Sequence, residues 1–166
     1  SISNTTTAPI KVLDAKKVIL TLADNTTNTI TDSSRLSTEE DYSAAIYSKE
    51  DLIINGNGTL NVNAGYRNGI KSTDDCIIVS GTLNITSTED GIIGKDLCGI
   101  VAGDININAG SDGIKSTYDT DTTKGNVIIE GGNITIKASN DGIQAENILV
   151  INDGTINIKT NNGAAD

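Results

Sequence analysis

The sequence predicts an all-β fold: a right-handed parallel β-helix, or solenoid, with three short strands in each 22-residue coil and about six coils. Three observations carry this reading. A phrase built on Asn/Asp-Gly-Ile recurs at a near-constant interval. Apolar residues keep the same phase inside every repeat. The composition is that of strands and turns, with 26 Ile and 17 Gly but no Phe, Trp, Met or His in 166 residues. No stretch keeps the apolar period of 3.6 that a helical bundle requires.

Asn68-Gly69-Ile70-Lys71-Ser72 returns as Asp90-Gly91-Ile92, as Asp112-Gly113-Ile114-Lys115-Ser116 and as Asp141-Gly142-Ile143. Asn162-Gly163-Ala164 opens one more copy. From Ile70 the successive intervals to Ile92, Ile114, Ile143 and Ala164 are 22, 22, 29 and 21 residues. The long interval holds a polar loop insertion at 118–124. Upstream, Ile46 precedes Ile70 by 24 residues and Ile10 precedes Ile46 by 36, with the excess assigned to a loop insertion at 25–45.

Stacking the copies gives the strands of each coil in order. The first centres on Ile46, Ile70, Ile92, Ile114 and Ile143. The second carries Leu52, Cys76, Cys98, Val127 and Leu149, and two residues later Ile54, Ile78, Ile100, Ile129 and Ile151. The third alternates strictly, as in Leu83-Asn84-Ile85 and Ile105-Asn106-Ile107, so its side chains point alternately inward and outward. Gly81, Gly103, Gly132 and Gly154 precede this third strand, where a tight corner needs freedom in φ. No coil buries its own apolar face, so stacked coils share one core about 4.8 Å per layer. Parallel crossovers are right-handed as a rule, which sets the expected hand. The chain is expected to be one domain over 1–166, either whole or a piece of a longer protein.

Charge narrows the function. A formal net charge of −10 leaves no basic footprint for nucleic acid. No apolar run approaches the ~18 residues of a membrane span. Without His, triads that use it as base are impossible, and two Cys are too few for zinc or iron–sulfur sites.

Asp90, Asp112 and Asp141 share one column, with Asn68 and Asn162 at its ends. Stacked carboxylates repel unless something neutralises them, and oxygen-only ligands suit calcium. Asp before Gly is also a good turn residue, but Asn would serve a turn as well, so three successive Asp favour a metal. Asp119 and Asp121 in the second insertion resemble the start of a calcium loop without its distal Glu, and read equally as a solvated loop. Glu39-Glu40-Asp41 reads as an exposed loop.

The outward column Asn61, Asn84, Asn106, Thr135, Asn157 offers amides at regular spacing, fit either for glycan hydroxyls or for a structural ladder. Tyr47, with Lys71 and Lys115 in its outward column, is the candidate sugar patch, joined by Asn84 and Asn106. Ile53, Ile77, Gly99, Ile128 and Val150 form an apolar outward strip, covered either by a loop or by another molecule. Cys76 and Cys98 fall in one inward column, close enough to pair and equally suited to be buried thiols.

Several phrases also resemble a known family. They are Leu22-Ala23-Asp24-Asn25-Thr26-Thr27-Asn28-Thr29-Ile30, Ala45-Ile46-Tyr47-Ser48-Lys49-Glu50-Asp51-Leu52, Ser111-Asp112-Gly113-Ile114-Lys115-Ser116 and Ser139-Asn140-Asp141-Gly142-Ile143-Gln144-Ala145-Glu146. They resemble bacterial extracellular carbohydrate-binding domains whose parallel β-helix is similar to that of polysaccharide lyases. The resemblance implies an extracellular or cell-surface protein that binds cellulose or an acidic pectin-like polysaccharide and carries calcium. Two alternatives stand beside it. One is a structural subunit stacking head-to-tail into a filament, since Ile10 and Ala164 share the same phase. The other is a calcium-dependent lyase, although Arg35 and Arg67, the only arginines, sit in no recognisable catalytic constellation.

Overall fold

A segment such as Thr82-Leu83-Asn84-Ile85-Thr86-Ser87 carries two aliphatic residues in alternation with polar ones. As an extended strand it buries Leu83 and Ile85 and turns Asn84 and Thr86 outward. The computed structural model describes residues 1–33 and 42–161, and the solenoid is built from such segments.

The strands form three sheets. A long sheet takes β1 (Ile2–Asn4), β4 (Thr27–Asp32), β7 (Thr59–Ala64), β10 (Thr82–Ser87), β13 (Asp104–Ala109), β16 (Asn133–Ala138) and β19 (Thr155–Thr160), in that spatial order. A second sheet takes β2 (Ile10–Val12), β5 (Ala44–Ser48), β8 (Asn68–Ser72), β11 (Ile92–Gly94), β14 (Ile114–Lys115) and β17 (Ile143–Gln144). A third takes β3 (Val18–Leu22), β6 (Leu52–Gly56), β9 (Asp75–Ile78), β12 (Leu97–Ile100), β15 (Asn126–Ile129) and β18 (Leu149–Ile151). Chain neighbours fall in different sheets and every pairing is parallel, so the backbone winds through all three in turn.

Register follows the apolar columns. Leu83 lies opposite Leu60 and Ile105, and Ile105 opposite Ile134. Ile92 lies between Ile70 and Ile114, and Cys98 between Cys76 and Val127. Like aliphatics thus stack layer on layer in one continuous core. At the last coil the same columns are half open: Leu149 is 47% exposed, Ile151 49% and Ile158 46%.

Two corners need glycine. Gly81, Gly103, Gly132 and Gly154 have φ of 104° to 116°, a region side chains rarely adopt. At Gly91 a Cβ would come within 2.5 Å of the Ile107 methyl and 2.6 Å of the Gly113 carbonyl oxygen. Here the Asx-Gly step is required because the second sheet turns tightly against the isoleucines of the long sheet.

The first insertion needs correction. The stretch 25–45 read as a loop contains β4 and the start of β5, so the extra residues lie between Asp32 and Ala44. β4 pairs in full register with β7. Its phase was hidden because it offers one aliphatic residue, Ile30, with Asn28 opposite Leu60 and a buried Asp32 opposite Ala64. The insertion at 118–124 does separate β14 from β15. Arg35, the Glu39-Glu40-Asp41 run and Asn162-Gly163-Ala164 lie outside the described residues. Among the described residues, no helix is long and apolar enough to cross a membrane.

Candidate functional site

The Asp column lies at the corner where the long sheet gives way to the second. Asn68 Oδ1 accepts the Asp90 backbone N–H, Asp90 Oδ1 accepts that of Asp112, and Asp112 Oδ1 accepts that of Asp141, each at 3.0 Å. The second oxygen of Asp112 is held by Lys115 Nζ at 2.7 Å, and Asp112 is 3% exposed. Burial alone would lower the Lys115 ammonium. Its hydrogen bond to Asp112, with the charges of Asp90, Asp112 and Glu146, carries it above its usual value instead. The charge of Asp90 and Asp112 is therefore relieved in part by backbone amides, and both oxygens of Asp112 already accept a hydrogen bond.

Asp119 and Asp121 are exposed, and Asp121 Oδ1 closes a local turn by accepting from the backbone N–H and hydroxyl of Thr123, at 2.9 and 2.7 Å. Those bonds hold its carboxyl below the ordinary range. The structure does not bring these two together with Asp90, Asp112 or Asp141 as one donor set.

Another acidic group lies at the corner between the second and third sheets. Ligand oxygens of Asp51, Asp74 and Asp75 all lie within 4.8 Å of one another. Register explains it: Leu52 pairs with Cys76, which sets Asp51 beside Asp75. Asp74 is pushed up to about 6 by desolvation, by its hydrogen bond with Asp96 and by the charge of Asp51. Burial and the charges of Asp51 and Asp96 raise Asp75 as well. Lys17 stands 3.6 Å from Asp51, and Lys124 pairs with Asp96. Three carboxylates gathered this closely form an oxygen-only donor set of the kind a hard divalent cation such as calcium takes. Asp74 and Asp75 read from the sequence as acidic turn residues near the second insertion. The missed signal was Asp51, which the repeat alignment places, like Asp75, one residue before the same inward column.

The predicted sugar patch divides. Tyr47 and Lys71 do pair across β5 and β8, and Lys115 shares their column. Tyr47, however, is 3% exposed, packed with Ala8 and Ala44 beneath the edge of Tyr42, whose ring centroid is 5.4 Å away at 81°. It cannot serve as a stacking platform. Lys71 donates to Ser43 Oγ at 3.2 Å, and burial pulls its ammonium below the ordinary value against the attraction of Asp90. Lys115 is engaged by Asp112. Asn84 and Asn106 stand on a different surface, the outer face of the long sheet.

That outer face is flat and polar. Asn84 Nδ2 donates to Asn61 Oδ1 at 2.9 Å, and Asn106 Nδ2 to Asn84 Oδ1 at 3.1 Å. Each bond leaves further lone pairs and one amide hydrogen for a ligand. Beside the ladder runs a groove of about 250 Å³ lined by Asn84, Ile85, Thr86, Asn106, Ile107, Asn108, Thr135 and Lys137. Strand spacing repeats its donors and acceptors about every 4.8 Å along the solenoid axis.

Cys76 and Cys98 are free and fully buried, and burial pushes Cys98 up to about 12 and Cys76 well above its usual value. Tyr118, at the foot of the second insertion, has Lys95 Nζ 4.7 Å and Lys124 Nζ 5.0 Å from its ring centroid.

Comparison with known proteins agrees with this architecture. A carbohydrate-binding domain-containing protein of Acetivibrio thermocellus is 39% identical over 89 residues, which are 51% of this chain and 31% of that relative. The match thus spans about a third of that relative's length. A solved structure described as the polysaccharide lyase-like protein from C. thermocellum, a gadolinium derivative, superposes with a TM-score of 0.81 at 32% identity. The superposition covers 97% of this chain and 72% of that one. The family described as carbohydrate-binding domain-containing protein matches residues 1–166, the whole length of the repeat, and the chain belongs to that family.

Proposed function

We propose that the chain is an extracellular, calcium-stabilised module that binds a polysaccharide of the cellulose or acidic pectin type through the outer face of the long sheet. The observation that carries this reading is the Asn61–Asn84–Asn106 ladder beside its groove. A periodic row of amides and hydroxyls on a flat face matches the periodic hydroxyls of an extended glycan. Most ligand sites are concave and largely apolar. A long, shallow, polar surface suits a polymer better than a small molecule. Family membership and the polysaccharide lyase-like neighbour support the same substrate class.

Calcium enters through Asp51, Asp74 and Asp75, remote from the groove, so its role is to hold the coils rather than to touch the glycan.

The test is a pull-down on insoluble cellulose and on polygalacturonate, with calcium and with chelator. Wild type should bind at least one of them and release no unsaturated product. Asn84→Leu with Asn106→Leu should abolish binding while leaving the melting temperature within a few degrees. Undiminished binding by that double variant would move the site to another face.

A further inference from the structure

We propose that Lys137 and Lys159 form an anion-recognition site for a linear polyanionic glycan lying along the solenoid axis on the long sheet. The proposal rests on the polysaccharide reading above and adds where the charge of the polymer is read. The two lysines are register partners on β16 and β19, both outward and both exposed. Their backbones are therefore about 4.8 Å apart. Like charges directly opposite each other on neighbouring strands are unfavourable. Neither lysine has an ion-pair partner among the described residues. The rest of this outer face is Ser, Thr and Asn, apart from Asp104, four residues along β13 from Asn108.

The groove connects the two regions. Lys137 and Asn108 line both the groove beside the Asn ladder and a second one of about 190 Å³, which also takes in Ser139, Lys159 and Asn161. The lysines stand in the column next to the ladder, two residues along each strand, so a glycan lying between the two columns meets both ammonium groups. One pyranose residue is roughly as long as the strand spacing is wide. The long, flexible arms of the two lysines bring their ammonium groups within reach of the anionic groups that such a chain turns towards the sheet. The molecule as a whole carries −10, so a polyanion gains nothing from general attraction and is selected only where cations are concentrated. An ammonium is a point charge that accepts a carboxylate or a sulfate ester alike. The ligand class is a chain of regularly spaced anions, and the experiment separates the two sources.

The full chain is titrated, in chelator, with polygalacturonate, with its fully methyl-esterified form and with dextran sulfate, and pulled down on cellulose. It is compared with Lys137→Gln/Lys159→Gln and with a charge-matched control, Lys16→Gln/Lys49→Gln. The site variant should weaken the preferred polyanion by about tenfold, consistent with the loss of two exposed ion contacts. It should leave the esterified polymer and cellulose unchanged, and the control should behave as wild type. Preference for polygalacturonate assigns the source as uronate, and preference for dextran sulfate as sulfate ester. Equal loss in both double variants, or no loss in the site variant, overturns the proposal. So does a single-stranded oligonucleotide that binds as well and is lost in the same way. If the wild type binds cellulose but no polyanion, the lysine site alone falls. If it binds no glycan at all, the polysaccharide reading falls with it.

Discussion

Asp112 and Lys115 form an ion pair of 2.7 Å at a corner of the coil, and the same Asp112 side chain accepts the backbone N–H of Asp141 in the next layer. One residue thus closes its own turn and fastens the turn above. Asp112→Asn keeps the acceptor for Asp141 but strands the Lys115 ammonium, and should cost about 1–3 kcal/mol in denaturant unfolding. Asp112→Ala removes both contacts and should cost about 1 kcal/mol more. Equal stability of the two variants would show that the inter-coil bond contributes nothing.

Calcium should raise the melting temperature by mass action, by about 2.7 kcal/mol of stability at a hundredfold excess over Kd. Asp51→Asn with Asp75→Asn should remove that response, while Asp141→Asn should keep it. A calorimetric scan with and without chelator decides between the two corners. A wild-type midpoint indifferent to chelator would eliminate the cation.

Without calcium the acidic corner should also make stability depend on pH. Asp74 holds its proton up to about 6 in the folded chain against an ordinary value of 3.8. The folded state therefore binds that proton more tightly than the unfolded state. The resulting stabilisation is complete below about 3.8 and is lost as pH rises through 6. Asp74→Asn should flatten this fall, so the variant gains on wild type between those values. Parallel unfolding curves for the two proteins across that window would refute the assignment.

Ile105→Ala should cost ~2–5 kcal/mol, because the cavity it leaves is walled by Leu83 and Ile134 in fixed register. Asn106→Ala, one residue along and exposed, loses one amide bond and should cost below about 1 kcal/mol. Urea denaturation of both variants measures the inward and outward faces separately.

The thiols of Cys76 and Cys98 should resist alkylation in the folded chain and react only on unfolding, since both are fully buried and their pKa values are raised. Rapid labelling under native conditions would place them elsewhere than the core.

The core was legible because a solenoid repeats its burial pattern in one dimension. Ile70, Ile92 and Ile114 announce each other at fixed intervals, and the pairing confirms them. β4 was hidden because Asn28 and Asp32 break that pattern. Tyr47 was misjudged for a related reason. Alternation correctly turns it outward, but it is covered by Ala8, Ala44 and Tyr42, contacts that its own strand's alternation does not reveal. Asp90 and Asp112 looked like repelling charges because side-chain spacing was visible in the sequence and the backbone amides between them were not. Asn84 and Asn106 were correctly placed on an outward face, whereas Lys137 and Lys159 stood out only once the strand faces were assembled.

The insertion at 118–124 leaves and rejoins the coil almost at one point. Thr117 and Tyr118 donate to the Lys95 carbonyl, and Gly125 and Asn126 to that of Asp96. Beyond those feet the stacking continues undisturbed, with Cys98 opposite Val127 and Ile114 opposite Ile143. Lengthening a closed loop adds little, about 0.6 kcal/mol for each doubling. This corner is accordingly a socket: a foreign peptide spliced between Asp119 and Thr123 should ride on the scaffold and shift its melting temperature by no more than a few degrees. A solenoid of this kind can acquire a new recognition loop by a single genetic insertion while the polymer-facing wall stays as it was.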